Sequence, residues 1–174
     1  MRTIRHFIIA FAVIAMSAAA AQAQKYALVD MEYILKNIPA YERANEQLTQ
    51  QSKKWQSEVE AIQNQAQTLY KNYQNEAVFL SADQKKQREQ AIVDKEKEAA
   101  ELKREYFAPV GERYKKRQSL IQPIQDEIYN AVKEVAQLRG YQMVVDRASD
   151  TSIIFASPKI DISAEVLSKL GYSN

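Results

Sequence analysis

The sequence predicts an α+β protein that is mostly helical, a long antiparallel helical hairpin joined as a coiled-coil arm to a small β-containing base. Three observations carry this. Residues 41 to about 139 are charge-rich and helix-forming, and only one of the protein's 3 glycines, Gly111, falls among them. That stretch breaks cleanly once, at Val78-Phe79-Leu80-Ser81-Ala82-Asp83. Strand-like apolar runs lie only outside it, at 25–30, 141–146 and 152–156.

Residues 1–23 read as a cleavable leader. Arg2, Arg5 and His6 form a basic start, and 7–16 is an apolar run too short to span a bilayer. Ala21-Gln22-Ala23 supplies a small-x-small site, so cleavage after Ala23 and a periplasmic location are expected. Loss of Arg2 and Arg5 from the 24 basic residues leaves 22, matching the 22 acidic ones. The mature chain is then neutral, and long-range steering of anionic partners is weak. There is no cysteine, so an exported chain of this kind has no disulfide to hold it.

The leader also carries the only histidine, His6. Without His or Cys, the mature chain lacks a Ser-His-Asp or Cys-His nucleophile and the usual zinc ligands. Three glycines build no phosphate-cradling loop. The remaining acids sit at helical spacing among Lys and Arg, as on a solvated face. The expectation is a protein that is not an enzyme and has no cofactor or metal.

In chain order, 25–30 reads as one buried strand. Ile34, Leu35 and Ile38 suit a helical turn or two, which Pro39 interrupts. These residues, 24–40, are the first part of the base. The arm, 41–122, begins with a helix to about residue 79, roughly 58 Å long. Its stripe is Ala44, Leu48, Trp55, Val59, Ile62, Ala66, Leu69, Tyr73 and Ala77. Trp55, Ile62 and Leu69 repeat every seven residues, as do Val59, Ala66 and Tyr73, which is a coiled-coil seam.

At the break, Ser81 with Gln84 matches a capping box. The return helix is thinly striped over 82–98: Val93 takes a seam position, but Lys85, Glu89 and Glu96 occupy others, predicting a mobile outer arm. From Ala99 the seam improves through Leu102, Tyr106, Val110 and Tyr114 or Arg117 to Ile121. Pro109 and Gly111 predict a bend. Pro123 is expected to mark re-entry into the base, 123–174.

There Ile124, Ile128, Val132, Val135 and Leu138 form a stripe that Gly140 ends. Residues 141–146 and 152–156 read as a β-hairpin turned over 147–151. Ser163 is the expected N-cap of a last helix, with Val166, Leu167 and Leu170 inward. A base of roughly 60 residues is marginal alone, so an obligate oligomer is expected.

The leader, then Tyr26-Ala27-Leu28-Val29-Asp30-Met31, the long charged hairpin, Met143-Val144-Val145-Asp146, Ile153-Ile154-Phe155 and Asp161-Ile162-Ser163-Ala164-Glu165-Val166-Leu167 together resemble the Skp (OmpH-like) periplasmic chaperones. The resemblance covers the whole mature chain and is most specific at its two ends. It implies a homotrimer whose strands join in a shared β-barrel, with Leu28, Val29, Val144, Val145, Ile153, Ile154 and Phe155 in the oligomer core. It further implies an ATP-independent holdase that binds unfolded outer-membrane β-barrel proteins between helical arms. Well-known members are strongly basic and this mature chain is neutral, so no lipopolysaccharide site is carried over and membrane-surface contact lacks charge support. The clusters Arg113/Lys115-Lys116-Arg117 and Lys85/Lys86/Arg88 are diluted by Asp83, Glu89 and Glu112, and nucleic acid is not an expected partner.

The aromatics Trp55, Tyr73, Tyr106 and Tyr114 fall on the seam and are expected to zip the hairpin. Tyr70 and Phe107 lie beside it and are the preferred client contacts. The tip triplet Val78, Phe79 and Leu80 either closes the hairpin or touches client or membrane. The alternative function is a structural coiled-coil adaptor bridging envelope components.

Overall fold

A computed structural model describes residues 25–149 and 152–172. The leader, its cleavage site and the end of the expected 147–151 turn lie outside the described residues. In chain order the elements are β1 (Tyr26–Val29), α1 (Met31–Lys36), α2 (Pro39–Glu76), α3 (Ala82–Phe107), α4 (Glu112–Arg139), β2 (Met143–Asp146), a 3₁₀ turn (Pro158–Ile160) and α5 (Ser163–Lys169). Two compact units divide them, one of Leu35–Tyr129 and one of the flanking segments up to Ile34 and from Asn130.

In the Leu35–Tyr129 unit, α2 starts with Pro39 in its first turn, where the missing N–H costs no hydrogen bond. α2 and α3 run antiparallel. Tyr73 of α2 bonds Glu89 near the start of α3, and Trp55, further back on α2, stacks on Tyr106 near its end. Ala44, Leu48, Val59 and Ala66 are buried on the predicted stripe, with Trp55, Ile62, Leu69 and Tyr73 half-buried. Burying an aliphatic such as Val59 contributes about 1.5–3 kcal/mol.

On α3 the expected seam holds at Lys85, Ala99, Leu102 and Tyr106 but passes through Ile92 in place of Val93. Ile92 and Ala99 are buried, while Val93 is 53% exposed. Counting back from Tyr106 in sevens gives Ala99, Ile92 and Lys85, the residues that turn inward. The predicted bend is a break between α3 and α4. Gly111 is buried there, and a Cβ on it would lie 2.5 Å from the Glu105 carbonyl oxygen. Val110 and Tyr114 fall outside the seam, 72% and 43% exposed, because the break resets the helical phase.

Pro123 does not interrupt the chain, since α4 runs through it. Its ring faces outward, so the Ser119 carbonyl that loses a donor is left on the exposed side. Ile121, Ile124, Ile128, Ala131 and Val135 are buried along α4, but Leu138, expected inward, is 78% exposed one residue before the terminal Arg139. Gly140, at φ 71°, ends the helix in the left-handed conformation that glycine adopts freely.

In the flanking unit, β1 and β2 pair in parallel, Tyr26 opposite Met143 and Val29 opposite Asp146. This replaces the expected β-hairpin. Residues 153–157 form no strand, and Ile154 and Phe155 are 99% and 85% exposed. The expected partner of 152–156 is 141–146, but directly after β2 the chain turns on Asp146, whose Oδ1 accepts from the Ala148 N–H at 3.0 Å, and β1 offers no edge instead. β2 takes one side, while Asp161 bridges Leu28 and the Ile162 N–H donates to the Leu28 carbonyl. The core comprises Ala27, Leu28, Val29, Ile34, Ala131, Val135, Ile162, Val166 and Leu167.

Ser163 is the first residue of α5 and not its N-cap, which is Ile162. Its hydroxyl instead accepts from the Asp30 N–H at 2.8 Å. Asp161 supplies the local turn, accepting from the Ser163 N–H at 2.9 Å.

Candidate functional site

The hairpin tip is closed by backbone and capping hydrogen bonds. Ala77 N–H donates to Tyr73 O and Phe79 N–H to Glu76 O, finishing α2. Ser81 Oγ accepts from the Gln84 N–H, and Gln84 Oε1 accepts from the Ser81 N–H, completing the predicted capping box. With these bonds in place, Val78 and Phe79 are left 81% and 86% exposed. Neither plugs the turn, and only Leu80 of the triplet is half-buried. Arg88 reaches Glu76 across the hairpin at 3.3 Å, an exposed pair that holds the tip only weakly.

Tyr70 and Phe107, paired in the sequence reading, have different surroundings. Tyr70 is 51% exposed, two turns before the tip on α2. Phe107 is half-buried, its ring edge-on to Tyr106 at 6.3 Å. Tyr106 in turn stacks on Trp55 at 5.2 Å and donates to Glu58 Oε2 at 2.6 Å. That hydrogen bond, chiefly, pushes the Tyr106 phenol up to about 12. Tyr73 is likewise raised by its bond to Glu89. The hairpin therefore carries two reciprocal rungs, each a tyrosine of one helix bonded to a glutamate of the other.

The residues expected in an oligomer core fall into three groups. Leu28 and Val29 are buried in their own chain, at 7% and 4% exposure. Val144, Val145 and Ile153 are half-buried, whereas Ile154 and Phe155 stand in solvent. Leu138 and Met143 of the same unit are exposed too.

One network was not anticipated. Arg147 Nη2 lies 3.1 Å from Asp30 Oδ2 and Arg147 Nη1 3.3 Å from Asp161 Oδ2. Asp30 Oδ1 caps the Tyr33 N–H at 2.8 Å, and Asp146 Oδ1 accepts from the Met31 N–H at 3.1 Å. The Tyr33 amide first and then Arg147 hold the Asp30 carboxyl below its usual range. Three chain segments are tied in this way. Among the described residues no group of three His, Cys, Asp or Glu side chains is placed to hold a metal ion, and no helix is long and apolar enough to cross a membrane.

The family described as outer membrane protein (OmpH-like) matches residues 25–170. Chaperone protein Skp of Yersinia enterocolitica is 28% identical over 156 residues, which covers 88% of this chain and 90% of that protein. The protein of the same name from Pectobacterium atrosepticum is 27% identical over 160 residues, covering 91% and 92%.

Proposed function

This chain belongs to the OmpH-like family of outer membrane proteins, and on that footing we propose that it is an ATP-independent holdase chaperone of the periplasm. It takes up unfolded outer-membrane β-barrel proteins and keeps them from aggregating. The observation that carries this reading is the tip, where a hydrogen-bonded and capped turn holds Val78 and Phe79 out in solvent. A side chain fixed in that position binds other apolar surface without demanding a sequence, because apolar burial is non-directional. Tyr70 adds an amphipathic contact on α2, while Phe107, engaged with Tyr106, has less surface to offer.

The chain acts as a homotrimer in this reading. Ile154, Phe155 and Met143 are exposed in a unit whose sheet, among the described residues, has two strands, and a small unit with no cysteine gains stability when further copies cover such residues.

The test is to dilute a urea-unfolded outer-membrane β-barrel into buffer with increasing amounts of the chain and no nucleotide. The soluble fraction of the barrel should rise in proportion to the chain. A barrel that pellets equally at every ratio contradicts the holdase reading and favours the adaptor.

A further inference from the structure

Between its two rungs the hairpin holds a groove of about 580 Å³. Its floor is alanine, with Ala66 of α2 and Ala99 of α3 buried and Ala100 beside them. Gln63, Gln67 and Tyr70 line it from α2, and Glu96 and Lys103 from α3. On each helix these positions recur at intervals of three and four, so each set shares one face.

The polar groups there behave differently from those of the rungs. Tyr73 and Tyr106 are both bonded across the hairpin. Gln63, Gln67, Tyr70, Glu96 and Lys103 make no side-chain hydrogen bond or ion pair with any other described residue. Each glutamine presents a donor and an acceptor on a planar amide, the same pair as a peptide group. Four residues of helix rise about 6 Å. Peptide groups on one edge of an extended chain recur every two residues, at about 6.7 Å. The two amides are therefore spaced to meet successive peptide groups. Glu96 and Lys103 contribute one charge of each sign, so the groove suits an uncharged chain.

We propose that this groove holds an extended segment of unfolded polypeptide, with Gln63 and Gln67 bonding its backbone and one of its side chains lying between Tyr70 and the alanine floor. The inference rests on the holdase reading and says how a client is gripped. Backbone bonding is indifferent to client sequence, and the alanine floor limits the groove to chains that are extended, not folded.

The experiment compares the full mature chain with its Gln63→Ala/Gln67→Ala variant. Both positions are exposed and alanine favours helix, so the fold is retained. Gln74→Ala/Gln87→Ala, exposed glutamines outside the groove, is the control. The probe is a fluorescently labelled, urea-unfolded outer-membrane β-barrel. Loss of two hydrogen bonds should weaken its binding about tenfold, with the control within twofold of wild type. A photo-crosslinking residue at Ala100 should couple to the barrel, and one at Gln74 should not. Equal binding by wild type and groove variant, or equal loss in the control, overturns the groove. A wild-type chain that fails to bind the barrel overturns the holdase reading and the groove with it.

Discussion

Tyr106 donates its hydroxyl to Glu58 Oε2 at 2.6 Å while its ring lies 5.2 Å from that of Trp55. One side chain thus meets two residues of α2 one helical turn apart, and it fixes the register of α3 against α2. Tyr106→Phe keeps the stack and loses the bond. It should cost about 0.5 kcal/mol, the low end for such a bond because solvent is near. Tyr106→Ala loses both and should melt several degrees lower, read by circular dichroism and by the fluorescence of the only tryptophan, Trp55.

The same pair sets an alkaline limit. The Tyr106 phenol is raised from 10.0 to about 12 in the folded protein. Its stabilising contribution is therefore whole below pH 10 and is lost as pH rises toward 12. Urea titrations should show wild type losing stability across that window more steeply than Tyr106→Phe. Parallel curves would contradict the assignment.

Asp30 sets the acid limit. Its carboxyl is held below 3.8 by the Tyr33 amide and Arg147. The contribution is present above pH 3.8 and disappears as pH falls through the lower folded value. Asp30→Ala removes a helix cap and should cost about 1 kcal/mol at pH 7, with the difference from wild type shrinking in strong acid. Urea unfolding at both pH values reads this.

Gly111→Ala places a methyl group 2.5 Å from the Glu105 carbonyl oxygen, a backbone atom that cannot step aside alone. A cost of about 2 kcal/mol is expected, typical of overpacking. Pro109→Ala, at an exposed position of the same break, should change melting by less than a degree or two.

Phe79→Ser should leave melting unchanged, because the side chain is 86% exposed, and should reduce retention of an unfolded barrel. A fall in melting temperature would mean that Phe79 closes the hairpin.

Most of the hairpin was legible because its signals are local. The seven-residue repeats of Trp55 and Val59 fix the inward face of α2, and Ser81 with Gln84 fixes the start of α3. Where Ala91, Ile92 and Val93 stand together among charged residues, nearby residues leave the phase open, and spacing alone points Val93 inward where the structure buries Ile92. The long-range contacts were not legible. Nothing near Arg147 announces its pairing with Asp30, 117 residues away. The strand expected at 152–156 has the apolar residues a strand needs, but its expected partner, 141–146, pairs in parallel with distant β1 instead. The groove had a weak signal in Ala66, Ala99 and Ala100, visible only once the register of the two helices is known.

The most direct measurement is the mass in solution, by light scattering, of the mature chain alone and after adding a urea-unfolded outer-membrane β-barrel. A trimer that takes the barrel into a discrete soluble complex is the predicted result. A folded monomer, or an oligomer that leaves the barrel to aggregate, would contradict the account.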